Sequence, residues 1–254
     1  MIFTIPLCLR VSEHGWPAPD VSVRDWFKGD PPTGVDADKF FHKHFIVFLT
    51  ALVKSALGKL QSLSEGSQDR ETLLSSWHAF FEDDGKGRDK FYQDVTSAAQ
   101  TLEQKPNAGE VSVDYLTSME APVAEGQDRT RREEAKFEPL LKPLIERLLY
   151  PELEALVDFI TKLRPKDGKS NPNIDPLIVV VFDEANTLHG RFWHLQRVLS
   201  ILDAVYGDRG KNNSFWSVFM ATNSYVPHFT PTASECMSQL YSSSASLTIT
   251  QPTL

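Results

Sequence analysis

Apolar residues along this chain form two kinds of pattern, short continuous runs and long stretches with helical spacing. Continuous runs rich in β-branched and aromatic residues predict buried strands at 2–11, 176–182 and 215–221, with a shorter candidate at 246–250. Helical spacing predicts helices at 36–63, 69–82, 88–103, 131–163 and 192–206, and a short one at 21–27. Pro139, Pro143 and Pro151 each predict a kink or a restart in the fourth long helix.

The order of these elements predicts an α/β fold with a parallel sheet, because strands alternate with helices along the chain. We expect one domain, 1–254, built as a strand and loop at 1–35, a large helical insertion at 36–165 and a strand–helix–strand core at 166–254. The 176–182 run is continuously apolar, which is typical of a strand buried on both faces of a parallel sheet. Residues 105–127 lack periodicity and are interpreted as a linker.

Composition narrows the class of protein. The 254 residues are 41% hydrophobic and carry a net charge of -8, which is typical of a soluble globular protein and argues against a surface that binds nucleic acid. Cys8 and Cys236 lie at opposite ends and form no disulfide framework. The apolar runs are shorter than a membrane span, and no secretory signal is visible. We therefore expect an intracellular, cytoplasmic protein with no membrane association.

The sequence LIVVVFDEA, 177–185, places two carboxylates at the carboxyl end of a predicted buried strand. Ligands of open α/β sheets bind at this edge, and a buried acidic pair requires a cation or hydrogen bonds. In a nucleotide-hydrolysing site Asp183 would hold Mg²⁺ and Glu184 would orient and polarise the attacking water. The alternative is that Asp183 only caps the next helix and Glu184 is a solvated loop residue.

The predicted strand at 215–221 is followed by small polar residues. Thr222 and Asn223 stand where a neighbouring strand would present groups that sense a terminal phosphate. An ordinary turn is the alternative, because Asn and Ser commonly follow strands.

Together these two strands resemble the acidic strand and the polar sensor strand of P-loop NTPases of the AAA and STAND type. More narrowly, the chain resembles a group of fungal, mostly uncharacterised P-loop ATPase-like proteins. The matching segments are IPLCLR at 5–10, GWPAPD at 15–20, FDEAN at 182–186, WHLQRVLSIL at 193–202 and VFMATNSYVPHFTP at 218–231. The resemblance implies an incomplete parallel-sheet P-loop NTPase-like core with a large helical insertion, and a cofactor requirement for ATP and Mg²⁺.

One departure from that family is central: the sequence contains no G-x-x-x-x-G-K-[ST] phosphate loop. The Gly-Lys-Ser at 168–170 has Leu163 in place of the first glycine and precedes a strand, so it is interpreted as a turn. In the family the phosphate loop lies just upstream of the strand that here begins the chain, which implies an N-terminally truncated form. ATP binding and hydrolysis are then expected only of a full-length form, and it stays open whether this chain is an enzyme.

Two other functions remain as hypotheses. The chain is a non-catalytic scaffold if its helical insertion binds a protein partner. It is a metal-dependent phosphoesterase if Asp183, Glu184 and His189 hold a metal ion. His189 and His194 are otherwise interpreted as surface residues, and His42 and His44 point in different directions on a helix and are not expected to share a metal.

Overall fold

The computed structural model describes residues 2–12, 18–64, 70–82, 86–104, 129–163, 178–208 and 215–220. In these ranges the chain is an α/β protein with a three-stranded parallel sheet. The strands are β1 (Phe3–Cys8), β2 (Ile178–Asp183) and β3 (Phe215–Phe219), in spatial order β1-β2-β3. The three predicted strands are thus confirmed, each shorter than its apolar run, and the candidate at 246–250 lies outside the described residues.

Along the chain, the helices lie between the strands. The predicted helices are confirmed to within a few residues at their ends. The helices are α1 (Val21–Phe27), α2 (Ala37–Ser64), α3 (Arg70–Glu82), α4 (Lys86–Gln104), α5 (Arg129–Leu144), α6 (Tyr150–Lys162) and α7 (Phe192–Asp208). The predicted linker, 105–127, lies outside the described residues. Helices α2 to α6 all lie between β1 and β2 in the chain, as expected for a helical insertion.

The long fourth predicted helix is divided where its prolines occur. Pro139 and Pro143 lie within α5, and a π-helical segment, Ile145–Leu149, follows at once. Proline lacks the N–H that closes a helical turn, so the backbone rearranges around it. Helix α6 then begins with Pro151 in its first turn, where a missing N–H has no cost.

Helix α2 is the centre of the core. It contacts α3, α4, α5, α6 and α7, and a continuous stretch from His44 to Val53 is buried within it. Of the helices in the described ranges, α2 is long and apolar enough to cross a membrane, and 56% of its most apolar 18-residue window is buried inside the protein. A helix that is apolar on all sides is typical of a position in the middle of a domain.

The two faces of the sheet differ in burial. Phe3, Ile5 and Leu7 of β1 and the alternate β2 residues, including Val180, are buried on one face. On the other face the β2 residues Val179 and Val181 are only half-buried. The prediction that this strand is buried on both faces is therefore wrong for its second face, because only the first face belongs to the core cluster that the sheet shares with the helices.

The outer edge of β1 is closed by side chains of the helical insertion. The carbonyl of Thr4 accepts a hydrogen bond from Nε1 of Trp77 at 2.9 Å, and the carbonyl of Pro6 accepts one from the Tyr92 hydroxyl. Pro6 itself has no N–H to satisfy, which suits an edge strand. The backbone of the last strand residue, Cys8, bonds to Asp20 through both its N–H and its carbonyl.

Asp20 also forms a buried ion pair with Arg88 of α4. Nε and Nη2 of Arg88 donate to the two carboxylate oxygens, each at 2.7 Å, and Asp20 is only 2% exposed. Burial lowers the pKa of Arg88, but the Asp20 hydrogen bonds outweigh it and hold that pKa above its ordinary value. The pair therefore connects β1, the loop before α1 and the helical insertion at one point.

We expect Arg88→Met to lower the free energy of unfolding by about 3–5 kcal/mol, because it leaves the Asp20 carboxylate buried without its cation. Urea unfolding monitored by circular dichroism measures the loss. Lys90→Met on the same helix is the matched control. It removes the exposed Lys90–Asp94 pair and is expected to cost at most about 0.5 kcal/mol. Equal losses in the two variants would contradict a structural role for the buried pair.

The charge itself is tested by the double variant Asp20→Asn/Arg88→Met. It lacks an uncompensated charge, so it is expected to be more stable than Arg88→Met alone. A double variant that loses the sum of the two single losses would show that the two side chains do not interact.

Candidate functional site

Asp183 is the last residue of β2, the middle strand, and lies at the carboxyl edge of the sheet. It is paired in register with Cys8 of β1, and its carbonyl accepts the Leu9 N–H at 3.0 Å. Its Oδ1 accepts the Glu184 N–H at 3.0 Å, and its Oδ2 accepts from the Cys8 thiol at 3.7 Å. The half-buried carboxylate is thereby fixed at the edge where open α/β sheets bind ligands.

Cys8 is the neighbour of Asp183 that the sequence analysis did not identify. Burial raises the pKa of its thiol, and the nearby Asp183 and Asp20 carboxylates raise it further. Because its pKa is raised, the thiol stays protonated and serves as a hydrogen-bond donor. It is a poor nucleophile in this state, since only the thiolate is a good one. The signal for this contact was present in the sequence, since parallel strands that end in Cys8 and Asp183 bring those ends to one edge.

Glu184 adopts a left-handed backbone conformation, with φ 57° and ψ 39°, and is only 9% exposed. A residue other than glycine or asparagine in this conformation costs about 1–2 kcal/mol. Thr187 stabilises the turn by donating its N–H and its hydroxyl to the Glu184 carbonyl at 3.0 and 2.9 Å. Glu184 is therefore a buried residue at a strained turn, and the alternative of a solvated loop residue is wrong.

The alternative that Asp183 only caps the next helix is also wrong. The helical segment that follows, Ala185–Arg191, is a 3-10 helix whose N-cap position is Glu184, with no side-chain cap hydrogen bond. Asp183 bonds instead to the N–H of the adjacent residue. Its side chain thus stays at the sheet edge rather than over the end of a helix.

The far end of the 3-10 segment is strained and anchored. His189 has φ 46° and ψ -132° and is exposed. Arg191 donates to Oδ1 of Asp30 at 2.6 Å and to the Phe27 carbonyl, and its guanidinium lies 5.1 Å from the Phe41 ring centroid. Arg191 therefore fastens the segment after the acidic pair to the end of α1, a role the sequence analysis did not predict.

Strand β3 runs beside β2 up to the acidic edge. Phe219 pairs with Phe182, and the Met220 N–H donates to the Phe182 carbonyl at 2.8 Å. Thr222 and Asn223, the predicted phosphate-sensing residues, lie outside the described residues. Their placement beside Asp183 stays a prediction, which the adjacency of β2 and β3 supports.

Among the described residues no group of three or more His, Cys, Asp and Glu side chains could hold a metal ion. Mg²⁺ is usually held by one or two carboxylates together with the phosphates of a substrate. The Asp183 carboxylate fits such a shared site, because its oxygens are hard ligands of the kind that Mg²⁺ binds. It does not by itself fit a metal site made only of protein ligands, which the phosphoesterase hypothesis with His189 requires.

Two of the histidines lie against each other where α2 meets α7, His42 buried and His194 half-buried. His42 of α2 is 1% exposed, and its ring lies 4.8 Å from that of His194 of α7. Both His42 ring nitrogens and Nδ1 of His194 are buried with no hydrogen-bond partner in the described part of the chain. The interpretation of His194 as a surface residue is wrong, because α7 packs against α2.

His44 points away from that pair, as the helical spacing predicts. Its ring stacks on Trp26 at 4.2 Å between centroids, and its Nδ1 lies 3.0 Å from Oε1 of Glu103. The prediction that His42 and His44 do not share a metal site is consistent with these separate partners.

No protein-family model, no curated protein and no solved structure matches this chain.

The His42 pair makes stability depend on pH. Burial, then the nearby His194 and Arg197, lower the pKa of His42 from 6.5 to about 3 in the folded protein, although Asp36 and Asp38 oppose the shift. Below about pH 6.5 the His42 ring binds a proton in the unfolded chain but stays neutral in the folded chain until the pH approaches 3. We therefore expect this group to add nothing at neutral pH and to reduce stability as pH falls from 6.5 towards 3.

Urea unfolding between pH 7 and pH 4.5 measures this effect. His42→Leu is expected to reduce the slope of stability against pH by about 1.4 kcal/mol per pH unit below pH 6. The control is His78→Gln, since His78 is exposed on α3. A His42→Leu variant with the slope of the wild type would contradict the buried neutral state.

Proposed function

We propose that this chain supplies the acidic half of an ATP-hydrolysing site of the P-loop NTPase type, acting inside the cell. In this site Asp183 is the Mg²⁺ ligand and Glu184 orients the attacking water. The phosphate-binding loop has to come from polypeptide outside the printed sequence, because no such motif occurs within it. Binding and hydrolysis of ATP are therefore proposed for a form that includes that loop.

The observation that carries the proposal is the position of the acidic pair. Asp183 ends the middle strand of a parallel sheet, and a second strand that precedes small polar residues runs directly beside it. Open α/β sheets bind their ligands at this edge. The strained backbone of Glu184 is a second support, since left-handed residues other than glycine concentrate at functional sites.

The residues of this chain would contribute by position and charge. The Asp183 carboxylate accepts from the Cys8 thiol at Oδ2 and from the Glu184 N–H at Oδ1, which holds it, half-buried, at the sheet edge. Glu184 would accept a hydrogen bond from a water and turn it towards the phosphate. Bound Mg²⁺ would neutralise charge on the phosphate oxygens. Thr222 and Asn223 are proposed as the residues that contact the terminal phosphate.

The rival hypothesis of a scaffold gains little from the helical insertion. Among the described residues of helices α2 to α6 no large apolar side chain is exposed, so these helices present no apolar face for a protein partner. The large apolar side chains that are exposed lie elsewhere, with three of them on or next to β3: Trp216, Val218 and Met220.

The transcript upstream of Met1 gives the first test. We expect it to encode a strand followed by G-x-x-x-x-G-K-[ST], and the protein extended by that segment to bind Mg-ATP. At about 100 times the dissociation constant the ligand should add about 2.7 kcal/mol to the free energy of unfolding. A transcript without this motif, together with no stabilisation at millimolar Mg-ATP, would contradict the proposal.

Variants of the extended protein separate the two carboxylates. Glu184→Gln is expected to keep the stabilisation by Mg-ATP and to lower hydrolysis by about 100-fold or more. Asp183→Asn is expected to lose the Mg²⁺-dependent part of the stabilisation. Asp203→Asn on the exposed face of α7 is the control and should change neither quantity. Hydrolysis at the wild-type rate in Glu184→Gln would remove Glu184 from the mechanism.

A further inference from the structure

The two edges of the sheet are treated differently. The outer edge of β1 is closed by hydrogen bonds that Trp77 and Tyr92 donate to its carbonyls and that the Cys8 N–H donates to Asp20. No strand in the described part of the chain pairs with the outer edge of β3. An unpaired edge is a template for another strand, and proteins usually blunt it with charge, proline or a bulge. The β3 sequence, FWSVF, contains no charged residue, no proline and no glycine.

The backbone direction of β3 follows from its bonds to β2. The Met220 N–H donates to the Phe182 carbonyl, and the Met220 carbonyl accepts from the Ala185 N–H. Because backbone groups alternate in direction along a strand, 216 and 218 also face β2, and 215, 217 and 219 face outward. The outer edge thus offers the N–H and carbonyl groups of three residues.

Beside this edge lies an apolar surface. Trp216, Val218 and Met220 are 42%, 40% and 46% exposed and lie on the face of the sheet that also carries the half-buried Val179 and Val181. Parallel sheets are normally covered on both faces. The edge and the face next to it are therefore suited together to contact with another polypeptide.

The side chains of β3 are arranged symmetrically about its centre. Ser217 is the small central residue, with Trp216 and Val218 on either side and Phe215 and Phe219 at the ends. A two-fold axis through Ser217 would place two copies antiparallel, with each Phe215 opposite the second copy's residue 219 and each Trp216 opposite residue 218. Aromatic pairs and aromatic–β-branched pairs are favourable across antiparallel strands, and no like charges would meet.

We propose that β3 is a homodimerisation edge, on which two copies of this chain pair Phe215–Phe219 antiparallel about Ser217 and form a continuous six-stranded sheet. The occupant is a second copy because the pattern complements itself and a two-fold contact closes without leaving a further edge. A five-residue edge with its adjacent apolar face lies at the small end of stable interfaces. The dimer is therefore concentration-dependent, with a dissociation constant on the order of micromolar.

Sedimentation equilibrium of the full chain, without nucleotide, from about 0.05 to 100 μM spans that dissociation constant. The weight-average mass is expected to rise from 28.6 kDa towards twice that value. Ser217→Pro removes the central outward N–H and leaves the bonds to β2 intact, so it is expected to weaken the dimer by at least about 10-fold. Ser217→Thr, which keeps the N–H, is the control and should dimerise like the wild type.

Val218→Lys tests the same contact without a proline. Each lysine would lie opposite Trp216 of the second copy, with the other lysine at a diagonal position about 7–8 Å away. Repulsion between the two charges should weaken the dimer, and more so at low salt. Val218→Thr is the control for loss of the apolar side chain. Thermal unfolding of each variant verifies that it is folded.

Three results would overturn the proposal. The first is a wild-type chain that stays monomeric up to 100 μM, which would mean that its own residues or nothing cover the edge. The second is a dimer that Ser217→Pro and Val218→Lys leave unchanged. The third is open-ended association in place of a dimer. None of these results bears on the nucleotide site, since the experiment contains no nucleotide.

Discussion

The buried ion pair between Asp20 and Arg88 is the contact on which the arrangement of the sheet depends. It joins an element before α1 to a helix of the insertion, and the same carboxylate accepts the N–H at the end of β1. An unpaired charge at 2% exposure would be far too costly, so the insertion has to pack in one position. Because that position closes the outer edge of β1, the helical insertion completes the sheet rather than only extending the domain.

The two edges of the three-stranded sheet differ within the described part of the chain, because side chains of the insertion close the outer edge of β1 and no described strand pairs with the outer edge of β3. Phe192, the first residue of α7, packs edge-to-face on Phe219 of β3, and side chains of α3 and α4 cover the β1 edge. Among the described residues, the less buried second face and the outer edge of β3 therefore meet at Trp216 and Val218.

The acidic edge shows how a site is built from backbone geometry. Parallel register brings Cys8 beside Asp183, and burial keeps the Cys8 thiol protonated so that it donates to the carboxylate. The turn after β2 then requires a left-handed residue, and this residue is Glu184 rather than a glycine. Thr187 stabilises this strained backbone by donating its hydroxyl to the Glu184 carbonyl, and Arg191 anchors the end of the 3-10 segment to Asp30. A strained carboxylate beside a fixed one is an arrangement suited to holding a cation and a water.

The sequence by itself determined the elements and their class, because continuous apolar runs and helical periodicity are local properties. It also determined that Asp183 ends a buried strand, since strand ends are marked by the first charged residue after such a run. Only the tertiary structure decided that Glu184 is buried, that His194 faces His42 and that one face of β2 stays half-covered. These features depend on which elements pack together over long sequence separations, and periodicity within one element carries no information about its neighbours.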